Sequence, residues 1–148
     1  MDTIHLLHRA GQVADMVTAR HLAAVYLTPR QYMCLLAVEN GAVCQRDVVE
    51  RTGVDRSTVA DMCRRLERDR MLTRTRGQLD SRRQELELTE EGKRTLKAAK
   101  AAMERAEDTI FAGAGSKQEA DALLRSLNSI AQEFGPISSA IVSTPRRE

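Results

Sequence analysis

The sequence predicts a mainly α-helical fold with one small β-hairpin: six helices and two short strands in 148 residues. Three features carry that reading. Apolar residues recur at i, i+3, i+4 and i+7 through most of the chain, the spacing of a single helix face. Strand-like alternation is confined to residues 72–76 and 85–88. Between these stretches stand the residues that start and stop helices, Thr28-Pro29, Asn40-Gly41, Gly53, Asp55, Thr89 and Gly135-Pro136.

Residues 3–26 form the first expected helix, with Ile4, Leu7, Ala10, Ala14, Val17, Leu22 and Val25 on its apolar face. Thr28 is a good N-cap and Pro29 suits the first helical position, so a second helix runs to Asn40-Gly41. A third, short helix covers 45–52 and ends in the tight turn Thr52-Gly53-Val54. Asp55 caps a fourth helix that reaches Arg70. Val59, Met62, Cys63 and Leu66 make its buried stripe, while Ser57, Asp61, Arg64 and Arg68 share the opposite stripe with Arg65 on the flank. The alternating runs then pair as a hairpin across an irregular loop holding Asp80, Arg82 and Arg83, which gives it a basic tip. Thr89 caps a long fifth helix with Leu96, Ala99, Met103, Ala106 and Ile110 in an a/d-like pattern, broken by Gly113 and Gly115. Ser116 and Glu119 form a capping-box pattern. The sixth helix behind it carries Ala120, Leu123, Leu124, Leu127, Ala131 and Phe134. Residues 143–148 read as a frayed tail.

Composition narrows the function. The chain is 42% hydrophobic and 30% charged, with no apolar run near the ~18 residues a membrane span needs. Its start lacks a basic segment followed by an apolar block, so a cytoplasmic protein with no membrane partner is expected. Aromatics are 3%, too few for base-stacking platforms. Three cysteines, Cys34, Cys44 and Cys63, form neither a disulfide framework nor a metal knuckle. Charge is uneven. From Arg51 to Arg83 there are ten arginines against five acids, a net +5 in a chain whose total is +2. All ten cations are Arg, whose fork suits phosphate and guanine. The segment therefore marks either a polyanion-binding surface or a salt-bridged, solvated face.

A short helix, a tight turn with Gly, an amphipathic helix and a basic hairpin make a winged helix-turn-helix, here over residues 27–89. Residues 1–26 and 90–142 are left as terminal helices. Their apolar faces exceed what so small a core covers, which points to dimerisation with a second copy.

The same residues resemble the MarR family of transcriptional regulators. Leu27-Thr28 with Gln31 and Leu35, then Val48-Val49-Glu50-Arg51-Thr52-Gly53-Val54-Asp55-Arg56-Ser57-Thr58-Val59, is similar to its second to fourth helices. Asp80-Ser81-Arg82-Arg83 is similar to its wing, and Leu86-Glu87-Leu88-Thr89-Glu90-Glu91-Gly92 to the strand and helix that follow. The likeness covers residues 27–96 by motif and the whole chain by helix order. It implies an obligate homodimer with interlocked terminal helices, a palindromic operator in double-stranded DNA, usually repression, and often relief by a small ligand or by oxidation. Two positions depart from the family. Arg70 stands where a Gly usually ends the recognition helix, and Cys44 stands where a Thr or Ser usually caps the third helix.

For such a regulator the fourth helix enters the major groove. Arg56, Ser57 and Thr58 lie at its N-terminus, where backbone N–H groups favour phosphate. Arg64 is placed to read guanine, and Asp61 either accepts from cytosine N4 or orients an arginine. Arg65 and Arg68 are expected to touch phosphates or to pair with Glu67 and Asp61. By the resemblance, Arg82 enters the minor groove with Asp80 steering it, and Arg74, Arg76 and Arg83 clamp the backbone. The family often binds aromatic acids between its dimerisation helices and its DNA-binding core. His8, Arg9, Tyr26 and Arg30, with His5 and His21 nearby, are the candidates for a small-molecule effector, against ordinary surface roles for the same residues. The rival sensor is a redox-responsive Cys44 at a helix N-terminus beside Arg46, against a small residue merely tolerated there. Cys34 and Cys63 read as core. His5 and His8 at i, i+3 are the one hint of a metal, and no metal or cofactor is expected. There is no Gly-rich phosphate loop, nucleophile elbow or His–carboxylate constellation, so no enzyme is expected. A winged-helix protein-interaction module is the remaining alternative, disfavoured by the basic hairpin tip.

Overall fold

The computed structural model describes residues 2–76, 84–113 and 115–134. In chain order it contains α1 (Thr3–Leu22), α2 (Pro29–Glu39), α3 (Gln45–Thr52), α4 (Arg56–Arg68), β1 (Leu72–Arg76), β2 (Gln84–Leu88), α5 (Glu90–Phe111) and α6 (Lys117–Phe134). This is the mainly helical architecture with a hairpin that the sequence predicts. The hairpin tip with Asp80, Arg82 and Arg83, the Gly135-Pro136 stop and the tail at 143–148 lie outside the described residues.

The first helix is shorter than expected. It stops at Leu22, a single 3-10 turn follows over Ala23–Val25, and Tyr26 takes a left-handed φ of 57°. Leu22 and Leu27 are both buried in the core. On a straight helix they would stand about 140° apart around the axis, so the chain has to turn between them. The Leu27 N–H donates to the Leu22 carbonyl at 3.3 Å and closes that turn.

Thr28 and Gln31 cap α2 reciprocally: the Thr28 hydroxyl accepts from the Gln31 N–H at 3.2 Å, and Gln31 Oε1 accepts from the Thr28 N–H at 2.9 Å. At α3 the hydroxyl that Cys44 lacks is offset by Asp47. Its carboxylate accepts from the Val43 N–H at 2.9 Å and the Cys44 N–H at 3.2 Å. Gly53, at φ 67°, ends α3 in the left-handed region.

Helix α4 also ends earlier than the sequence suggests, at Arg68 rather than Arg70. Arg70 takes φ 59° in the place that glycine favours. Its N–H donates to the Glu67 carbonyl at 3.0 Å, and the Met71 N–H donates to the Leu66 carbonyl at 2.8 Å. Those two bonds are the Schellman pattern, and they hold Arg70 in a conformation costing a non-glycine residue about 1 kcal/mol.

β1 and β2 pair antiparallel from Leu72↔Leu88 to Arg76↔Gln84. The base of the hairpin is fastened at one junction. The Thr89 hydroxyl accepts from the Gly92 N–H at 2.9 Å, capping α5, and donates to the Arg70 carbonyl at 2.6 Å. The Leu86 N–H donates to the Val43 carbonyl at 2.9 Å, tying β2 to the segment before α3.

Leu22, Leu35, Val48, Val59, Leu66, Leu72 and Leu96 are fully buried and join α1–α5 and the hairpin in one core. Ala99, Ala102 and Ala106 of α5 are buried as well, small residues that let α1 approach closely. α6 differs from the rest: every residue from 121 to 133 is exposed. Among the described residues, no helix is long and apolar enough to cross a membrane.

Candidate nucleic-acid interface

The core fixes which side of α4 faces outward. Val59, Met62, Cys63 and Leu66 are buried, as their spacing predicts. Arg56, Ser57, Asp61, Arg64, Arg65 and Arg68 are exposed, and Thr58 is half-buried. The expected reading stripe is thus presented on one surface, with the hairpin following directly from its C-terminal end.

At the N-terminus of α4, Asp55 occupies the anion position itself. It accepts from the Ser57 hydroxyl at 2.6 Å, the Thr58 hydroxyl at 2.6 Å and the Thr58 N–H at 2.9 Å. The Ser57 hydroxyl foremost, then Thr58, holds the Asp55 carboxyl well below the usual carboxylate range. Both hydroxyl protons point at Asp55, so a phosphate contact by Ser57 or Thr58 requires them to turn away from it.

Further along, Arg64 pairs with Asp61. Of the two roles the sequence allows Asp61, this ion pair fits the orienting one. Arg68 Nε lies 3.4 Å from Asp69. Among the described residues, Asp61 pairs with Arg64 and Glu67 with Arg74 rather than with Arg65 or Arg68. Helix α4 with its caps, residues 55–70, carries five arginines and four acids, so its charge nearly balances. The surplus of the basic segment belongs to residues 74–83, where four arginines meet one acid.

Arg74, expected as a backbone clamp, is mostly enclosed and paired within the fold. Its side chain is 17% exposed and its Nε lies 3.1 Å from Glu67 Oε2. Strand alternation explains why: Arg74 shares the inward face of β1 with the buried Leu72, two residues away. Arg76 closes the strand pairing, while Asp80, Arg82 and Arg83 fall outside the described residues.

The effector candidates are dispersed. His8 and Arg9 line an open depression of about 400 Å³ with His5, Gln12, Val13 and Met16, all from α1. Tyr26 and Arg30 do not line it. Tyr26 is 90% exposed beyond the end of α1, and Arg30 is exposed in the first turn of α2. His21 sits apart from both, its Nε2 3.4 Å from the Thr109 hydroxyl. Cys44 is buried, at 8% exposure, whereas the redox reading needs an accessible thiol. Among the described residues no three His, Cys, Asp or Glu side chains gather as a metal site. Sequence spacing gave no sign that Cys34 and Cys63 meet in the core, nor that Gly92 lies against the backbone of Met71.

A family model described as the MarR family matches residues 27–83. The transcriptional repressor CouR bound to a 23-mer DNA duplex is 31% identical and superposes with a TM-score of 0.82, over 88% of this chain and 92% of that one. The chain belongs to the MarR family. It is also similar to BpsR of Bordetella bronchiseptica, whose DNA binding is regulated by 6-hydroxynicotinic acid: 25% identity, TM-score 0.81, 88% of this chain and 93% of that one. A third likeness is to a MarR-family transcriptional regulator from Rhodococcus sp. RHA1, at 28% identity and a TM-score of 0.77, covering 85% and 89% of the two chains. No curated protein sequence matches the chain. The chain is a MarR-family transcriptional regulator with a winged helix, and the β1–β2 hairpin is the wing of that fold.

Proposed function

We propose that the protein is a homodimeric, sequence-specific DNA-binding repressor whose grip on a palindromic operator is relieved by a small ligand such as an aromatic acid. The observation that carries the reading is the exposed stripe of α4, Ser57, Asp61, Arg64, Arg65 and Arg68, on a fold similar to a repressor solved on DNA. Arg64, steered by Asp61, reads a guanine, and Arg56, Arg65 and Arg68 contact phosphates. Arg82 enters the minor groove with Asp80 beside it, and Arg76 and Arg83 flank the wing. Binding is the whole activity; no reaction is catalysed, and the protein works beside its DNA in the cytoplasm.

Dimerisation follows from what one chain leaves uncovered. Ile4, Leu7, Val13 and Met16 on α1, and Leu123, Leu124, Leu127 and Ile130 on α6, are all at least 40% exposed. A second copy covers them and sets two α4 helices about 34 Å apart, one turn of DNA. Residues 1–26 and 90–142 then serve as the dimerisation region around the DNA-binding region 27–89. The effector reading draws support from BpsR, which answers to an aromatic acid. In this chain Arg9 or Arg30 is the cation for a carboxylate, with His8 and Tyr26 as the further candidate contacts.

Arg82→Glu tests the DNA-binding claim. The expected result is a fall of at least about tenfold in DNA affinity with the dimer intact, read by fluorescence anisotropy and light scattering. Unchanged affinity would instead favour a winged helix that binds protein.

A further inference from the structure

The outward stripe of α4 carries an anion that the fold does not need. Asp61 is the sixth of thirteen residues in Arg56–Arg68, in line with Ser57, Arg64 and Arg68 and exposed with them. The other acids of α4 and its caps have places in the fold. Asp55 caps the helix by accepting from the Thr58 N–H, Glu67 meets the mostly enclosed Arg74, and Asp69 stands at the C-cap before the turn at Arg70. Asp61 caps nothing, lies outside the buried stripe, and sits beyond the first turn, where the helix dipole favours an acid. Its partner is Arg64, with side chains 58% and 66% exposed, and exposed pairs of this kind add little to stability.

Arg64 Nη2 donates to Asp61 Oδ1. A guanidinium has further N–H donors, which remain for O6 and N7 of a guanine. A neutral base edge can therefore join the pair without displacing the carboxylate. A phosphate is received less well, because it brings a full negative charge towards Asp61 with only the arginine between them. The carboxylate in turn suits the N4 donor of a cytosine and repels the backbone. Non-specific complexes rest on phosphates, whereas specific ones add base edges.

We propose that Asp61 is a specificity-determining residue, which weakens binding to duplex DNA that α4 meets only through phosphates and leaves an operator met through base edges nearly unaffected. The inference rests on the proposed function and deepens it, since steering Arg64 onto a guanine does not by itself weaken binding to other DNA. The charge of α4 has the same sense. Five arginines and four acids over residues 55–70 leave little net attraction for a bare backbone, and the cationic surplus lies in residues 74–83. Attraction to any DNA and discrimination among DNAs are thus divided between two segments, with Asp61 on the discriminating one.

Asp61→Asn removes the charge and keeps the shape at an exposed position, so the variant folds. Full-length wild type and variant are compared by fluorescence anisotropy over a range of salt concentrations. The probes are a fragment that the wild type retains from sheared genomic DNA and a scrambled duplex of the same length and composition. Asp61→Asn is expected to bind the scrambled duplex at least about tenfold more tightly and the retained fragment less than about threefold more tightly. On the scrambled duplex its salt dependence should steepen by about 2 in the log–log slope, one new phosphate contact per protomer. Glu107→Gln makes the same change in net charge at an exposed position on the C-terminal half of α5, and should leave the ratio of the two affinities as it is. An unchanged ratio for Asp61→Asn overturns the proposal, and an equal change for Glu107→Gln does so by assigning the effect to net charge. Loss of affinity for the retained fragment alone also overturns it, since Asp61 would then itself be reading a base. A wild type that retains no discrete fragments, or binds both duplexes alike, overturns the functional reading and this inference with it. Discrete wild-type sites with an unchanged ratio overturn the inference alone.

Discussion

Gly92→Ala is expected to destabilise the fold by about 3 kcal/mol, the upper part of the range for forcing one extra carbon into a packed site. A Cβ on Gly92 would lie 2.1 Å from the Met71 carbonyl oxygen and 3.0 Å from its carbon. Both are backbone atoms, so no rotamer change relieves the clash. The Met71 carbonyl also accepts from the Thr89 N–H at 3.1 Å, and the Met71 N–H closes the end of α4. Moving α5 off Gly92 therefore loosens the junction of α4, the hairpin and α5 together. Urea denaturation reads the loss, with Gly11→Ala as the matched control. Gly11 also lies within a helix, and its Cβ would meet nothing within 4 Å. That control should stabilise slightly, because alanine is the better helix former. Equal midpoints for the two variants would mean that the close approach at Gly92 is not what the packing requires.

The second large effect is on assembly. Leu124→Asp with Leu127→Asp is expected to raise the dimer dissociation constant at least about a thousandfold, about 4 kcal/mol. Each change acts twice in a symmetric dimer, and each replaces apolar burial with a charge in the interface. Among the described residues of its own chain α6 packs extensively against no other element, and both leucines are exposed, so the monomer should keep its helical content. Light scattering would show a monomer and circular dichroism an unchanged helix signal. DNA affinity should fall with the dimer, since a single recognition helix reaches only one half-site. A variant that stays dimeric would place the interface elsewhere.

What the sequence made legible is what short-range periodicity and capping chemistry determine. The buried stripe Val59, Met62, Cys63 and Leu66 follows from helical spacing, and the Asp55 and Thr89 caps follow from their position before an apolar run. What it hid depends on contacts across the fold. α1 stops at Leu22 because two leucines compete for one core, and no local signal marks that competition. Arg70 holds a glycine's conformation because the core fixes both ends of the turn. Cys44 looked like a weak cap because the compensating carboxylate of Asp47 lies three residues ahead. The low exposure of Arg74 was legible in part, since it shares strand parity with the buried Leu72, whereas its pairing with Glu67 depends on a contact across the fold. The reading face fared between these. Its residues were legible as a stripe, but the partners that hold Asp55, Arg64 and Arg68 depend on side-chain placement.

Retention of sheared DNA from the source organism by the full-length protein, at near-physiological salt and followed by sequencing, tests the central claim most directly. The account predicts a few discrete sites sharing an inverted repeat with half-sites about one helical turn apart. Uniform recovery, or none, would contradict a dimer that reads sequence through α4 and its wing.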